Sequence, residues 1–100
     1  MTLFFCGQTS GGTDLDTIAS QTAEALRRVD TLLAEVGSDK SRILSALIHV
    51  KSMDDFQGMN AVWDAWVPEG CAPARSTVQS TLASPHLLVE VTIVAAKAAA

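Results

Sequence analysis

A chain of 100 residues with a net charge of −4, 48% hydrophobic and only 18% charged, reads as one apolar-rich α/β domain. Soluble domains average about 25% charged residues, and a short chain buries a modest share of its surface by itself, so association with copies of itself is expected. The acidic balance excludes a nucleic-acid partner held by charge, and no apolar run reaches the roughly 18 residues of a membrane span.

Leu3 to Cys6 is a short apolar run stopped by Gly7, with Gly11-Gly12 as a breaker, which predicts a strand and a loop. Thr13 stands three residues before Asp16, a capping-box pattern for a helix start. Leu15, Ile18, Thr22, Leu26, Val29, Leu33 and Val36 follow at helical spacing, and Gly37 is placed to end the helix. Arg42 to Lys51 is rich in Ile, Leu and Val and predicts a buried strand. Ser52 with Asp55 repeats the capping pattern, and Phe56, Met59, Val62, Trp63 and Trp66 share one side of a helix over 54–66. Pro68, Gly70 and Pro73 mark a loop, 74–82 alternates as a strand, Ser84-Pro85 turns, and 87–96 forms a last strand before an alanine-rich tail. This order predicts a sheet with both helices on one face and the last two strands as an antiparallel pair.

Alternation places Arg75, Thr77 and Gln79 on one face of their strand, and Glu90 and Thr92 on one face of theirs. The apolar alternates Val89, Val91 and Ile93 suit the helix side, so Glu90 and Thr92 are expected on the helix-free face, joined there by Arg75, Thr77 and Gln79. A charge on a covered sheet needs a partner. Arg75 either grips a carboxylate-bearing ligand with its planar fork, beside a Glu90 that orients water, or it pairs with Glu90 or lines a subunit interface. His49 reads as an interior or interface histidine, His86 as a turn residue, and Trp63 and Trp66 as core. Cys6 and Cys71 lack metal-ligand spacing and suit thiols in a reducing cytoplasm, and the start Met1 to Gly7 lacks the basic stretch of a secretory signal.

Pro73-Ala74-Arg75-Ser76-Thr77-Val78, followed by Val89-Glu90-Val91, resembles the reactive intermediate deaminase family (Rid, or YjgF-type, also termed endoribonuclease L-PSP-like). Leu3-Phe4-Phe5-Cys6-Gly7-Gln8, Gln21-Thr22, Met53-Asp54-Asp55-Phe56 and Met59-Asn60 extend the likeness along nearly the whole chain, and Trp63-Asp64-Ala65-Trp66 is similar to a less-characterised branch. The resemblance implies one domain over residues 1–100 with the chorismate-mutase-like (YjgF-type) fold, assembled as a cytoplasmic homotrimer with clefts between subunits. It implies hydrolysis of 2-imino acids, formed from enamines, to 2-keto acids and ammonia without cofactor or metal. The alternative it leaves is a non-catalytic module binding small carboxylates or keto acids. Arg75 would bind the carboxylate and Glu90 would position water. Gly7 and the Thr77 backbone would line the pocket, with Asn60 supporting it. The chain enters the family's pattern at its second strand, so the family's first strand is expected to be absent. Gln8-Thr9-Ser10 replaces the usual Gln-Ile-Pro, which implies a reshaped loop.

Overall fold

The computed structural model describes residues 1–98, so the last two alanines of the expected tail lie outside the described residues. The elements run β1 (Thr2–Phe4), α1 (Ile18–Glu35), β2 (Ile43–Val50), α2 (Phe56–Trp66), β3 (Ala74–Gln79) and β4 (Val89–Ala96). They build the expected mixed α/β fold, a four-stranded sheet in the order β1-β4-β2-β3 with α1 and α2 on one face. Among the described residues no helix is long and apolar enough to cross a membrane.

The capping box that opens α1 is four residues later than the sequence suggests. Thr17 accepts from the Ser20 amide at 3.0 Å while its own amide donates to Ser20 Oγ at 3.2 Å. Thr13 instead donates its hydroxyl to the Ser10 carbonyl at 2.7 Å, which fastens a loop. The far end is as expected. Gly37, at φ +72°, lets its amide reach Ala34 O and the Ser38 amide reach Leu33 O, a Schellman ending. Between these ends Ala25, Leu26, Val29 and Leu33 are buried against the sheet. Two polar residues, Gln21 and Thr22, share that stripe. Gln21 is buried and donates to Leu15 O and His86 O while accepting from the Leu88 amide, so one amide group ties two loops to the helix.

The last two strands do not pair, contrary to expectation. β2 lies between them, parallel to β3 and antiparallel to β4. Nine residues separate Gln79 from Val89, longer than the 2–5 of a typical hairpin loop. The chain uses that length to step over β2, and α2 serves as the crossover that makes β2 and β3 parallel. β2 also carries an irregularity. Its register shifts between Ile43 and Ser45, so Ile43 and Ala46 both face the helices and Leu44 is turned out.

Ala46, Ile48 and Val50 with Val89, Val91, Ile93 and Ala95 form the sheet's half of the core, and Met59 and Trp63 of α2 close it. Each such fully buried large aliphatic side chain contributes roughly 1.5–3 kcal/mol of burial free energy.

Candidate functional site

The register fixes which way each candidate side chain points. Arg75 stands opposite Ala46, and Ala46 opposite Ile93, both of which are buried under the helices. Arg75 therefore belongs to the helix-covered face, not to the helix-free face expected for it. α2 meets it there: its Nη1 donates to Asn60 Oδ1 at 2.7 Å, and its guanidinium carbon lies 5.8 Å from the Phe56 ring centre and 5.5 Å from that of Trp63. Guanidinium over aromatic faces is a favourable cation–π arrangement. Among the described residues no carboxylate pairs with Arg75, the ion pairs being Glu24 with Arg27 and Arg28. Arg75 is thus half-buried, held in orientation by a neutral amide and two rings, with most of its five N–H donors uncommitted.

Thr77, two residues on, faces the same way beside Ile48, and its Oγ1 is buried without a hydrogen-bond partner among the described residues. Glu90 is elsewhere. It stands opposite His49 on the helix-free face, and its carboxyl group presses on Gly7. A methyl group placed at Gly7 would come within 2.7 Å of Glu90 Cδ and 2.8 Å of Oε2. The backbone that brings Gly7 there is pinned by a two-way bridge, Gln8 N to Val91 O at 2.8 Å and Val91 N to Gln8 O at 2.9 Å.

The candidate residues therefore fall into two separate groups within the chain. Arg75, Asn60 and the aromatic shelf form one, and Glu90 with Gly7 forms the other. Two strand spacings put β3 about 10 Å from β4, and the three-residue offset between the Ala46 and His49 rows adds about 10 Å along the strands. The side chains also leave opposite faces of the sheet. The direct Arg75–Glu90 pairing weighed from the sequence does not occur within the chain.

The helix-free face carries apolar side chains without cover: Phe4 is 80% exposed, Leu44 50%, Val78 41% and Leu47 38%. His49 lies among them, half-buried, with Nδ1 3.0 Å from Ser80 Oγ. His86 is exposed in its turn, Cys6 is an exposed thiol and Cys71 a half-buried one. Trp63 is core, as expected. Its second role as a shelf for Arg75, shared with Phe56, was not apparent from helical spacing, because α2's contact with the edge strand appears only once β3 pairs with β2. Among the described residues no three His, Cys, Asp or Glu side chains gather as metal ligands.

The architecture defines a class first: a small α/β domain that displays an unneutralised arginine on one edge strand and a glutamate on the opposite face. The chain belongs to the endoribonuclease L-PSP family, whose model matches residues 1–97. A RutC family protein of Haemophilus influenzae is 42% identical over 92 residues, covering 92% of this chain and 79% of that one. The RutC family protein YoaB of Escherichia coli is 50% identical over 76 residues, 76% of this chain and 67% of its own. Among solved structures, the YjgF-family protein NMB1025 of Neisseria meningitidis superposes with a TM-score of 0.94 at 43% identity, covering 99% of this chain and 82% of that chain. A Rid-family protein of Yersinia pestis gives 0.87 at 25% identity, with 94% and 79% covered. A Rid-type function in general terms follows from this membership.

Proposed function

We propose that the protein hydrolyses small 2-imino acids to 2-keto acids and ammonia, in clefts formed where the edge strand of one copy meets the Glu90 face of another in a homotrimer. The observation that carries this reading is the Arg75 guanidinium, fixed by Asn60 over Phe56 and Trp63 yet free of any protein carboxylate among the described residues. An arginine so oriented is set to receive a carboxylate from outside the chain. The uncovered Phe4, Leu47 and Val78 support self-association through the helix-free face. The net charge of −4 weighs against phosphate-backbone binding.

In the proposed reaction Arg75 of one copy holds the carboxylate of the iminium acid. Glu90 of the next copy accepts a hydrogen bond from a water molecule and takes its proton as the oxygen attacks the C=N carbon. Glu90 returns that proton to nitrogen, the C–N bond breaks with its electron pair leaving on ammonia, and the hydroxyl oxygen gives its remaining proton to Glu90 as the C=O forms; ammonia takes up that proton and departs as ammonium. One iminium acid and one water give one keto acid and one ammonium ion, with no oxidant required. Such a substrate is already electrophilic, so orientation and modest acid–base help suffice.

The test is ammonia release from freshly generated 2-iminopropanoate. The wild-type protein should exceed the spontaneous rate, and Arg75→Ala should fall to that rate while the oligomer persists. An Arg75→Ala protein as active as the parent contradicts the reading. Retention of carboxylates with no rate above background favours the non-catalytic binding module.

A further inference from the structure

The loop that follows Gly7 is held by a side chain of α1. Beyond the Gln8–Val91 bridge the chain runs through Thr9-Ser10-Gly11-Gly12, and Gly12 sits at φ +85°. Two glycines in succession give this segment wide backbone freedom. Within itself it makes short-range bonds, from the Gly11 amide to Thr9 Oγ1 and from Thr13 to Ser10 O. Its hydrogen bonds to the body of the protein converge on one side chain. Arg28 of α1 donates from Nη1 to Thr9 O at 2.7 Å and from Nη2 to Gly11 O at 2.9 Å.

The remaining edge of the same guanidinium is also fixed. Arg28 Nε donates to Glu24 Oε2 at 2.7 Å, and Glu24 is in turn gripped by Arg27 through both carboxylate oxygens. These bonds, those from Arg27 foremost, lower the Glu24 carboxyl from its usual 4.5 to about 2. Only a planar fork spans two backbone carbonyls and a carboxylate at once.

We infer that Arg28 is a positioning residue for the site proposed above: by clamping Thr9 and Gly11 it holds the Gly7–Gln8 segment against Glu90 and so sets the orientation of the water-binding carboxylate. The inference rests on that proposed reading for its kinetic consequence but not for its structural one. Arg28 bonds to Thr9, Gly11 and Glu24, whereas Arg75 bonds to Asn60, so its effect should fall on kcat and leave KM, which reports carboxylate capture by Arg75, near its wild-type value.

The experiment compares wild type, Arg28→Gln and Arg28→Lys as full-length chains, by amide hydrogen exchange and by steady-state ammonia release from 2-iminopropanoate. In both variants the Gln8 and Val91 amides should exchange at least tenfold faster, with Leu26 and Ile48 unchanged. The kcat should fall about tenfold at constant KM, in keeping with displacement of a reacting group by a fraction of an ångström. Arg28→Lys keeps the charge and the aliphatic stem, and serves where Arg28→Gln does not fold. Unchanged exchange at Gln8 and Val91 overturns the clamp. Faster exchange with an unchanged kcat overturns the positioning role. If the wild-type protein itself shows no turnover, the deaminase reading falls. Exchange alone then decides: spread of deprotection to Gln8 and Val91 upholds the clamp, and confinement to residues 9–12 overturns it.

Discussion

Replacing Gly7 with alanine perturbs the proposed water-binding carboxylate and little else. Gly7 has no positive φ, so alanine meets no backbone strain there. The new methyl would lie 2.7 Å from Glu90 Cδ and 2.9 Å from Cγ, whereas non-bonded carbons rest about 3.5–4.0 Å apart. The carboxyl group must therefore retreat by about 0.8 Å or more. The Glu90 backbone is fixed between β2 and the Gln8 bridge, so the retreat comes from side-chain torsion, at a cost of about 0.5–1.5 kcal/mol. In a domain of this size that corresponds to a fall in Tm of no more than about 10 °C. A shift approaching 1 Å in a group that orients the attacking water should lower kcat by about ten- to a hundredfold, with KM nearly constant because Arg75 is untouched. Ammonia release and calorimetry on the Gly7→Ala protein give both numbers. A lowered Tm with kcat within twofold of wild type would refute the role assigned to Glu90.

Gly58 of α2 faces Ile18 at the start of α1, and a Cβ there would come within 2.6 Å of Ile18 Cγ2. Gly58→Ala should lose up to about 2 kcal/mol in urea unfolding, an overpacking cost of about 1–3 kcal/mol set against roughly 1 kcal/mol gained from helix propensity, and the loss should shrink in an Ile18→Ala background. Thr77→Val removes a buried hydroxyl that has no partner among the described residues and should stabilise by about 1 kcal/mol; a destabilised variant would mean that assembly supplies that hydroxyl with a partner. The carboxyl of Glu24 lies at about 2 when folded against 4.5 when free. Its contribution to stability is therefore whole above pH 4.5 and is lost as the pH falls toward 2. Urea midpoints should drop more steeply through that window for wild type than for Glu24→Gln, and parallel curves would contradict the assignment.

The α1 stripe, the Gly37 stop and the apolar alternation of β4 were legible because each depends on local periodicity, which the core reads directly. The pairing of β3 was not. Order along the chain suggested a hairpin, because strands read as 74–82 and 87–96 leave only a four-residue turn; the nine-residue connection appears in the structure, where β3 ends at Gln79 and β4 starts at Val89. The face of Arg75 was lost with it. β3 is mixed on both sides, with Ala74, Ser76 and Val78 on one and Arg75, Thr77 and Gln79 on the other, so alternation gives the two sets but not which set meets α2. The more apolar set faces away from the helices, leaving Val78 41% exposed, while the guanidinium of Arg75 lies over Phe56 and Trp63. The motif Pro73-Ala74-Arg75-Ser76 singled out Arg75, and nothing in it indicated that Glu90 leaves the opposite face.

That separation gives the central claim its sharpest test. Arg75→Ala and Glu90→Gln subunits, each inactive alone, are unfolded together in equal amounts, refolded, and assayed for ammonia release from 2-iminopropanoate. If each site takes Arg75 from one copy and Glu90 from its neighbour, random mixing restores about a quarter of the sites in a cyclic oligomer, and about a quarter of the wild-type rate returns. A mixture as inactive as its two components would place both groups in one chain's site and contradict the account.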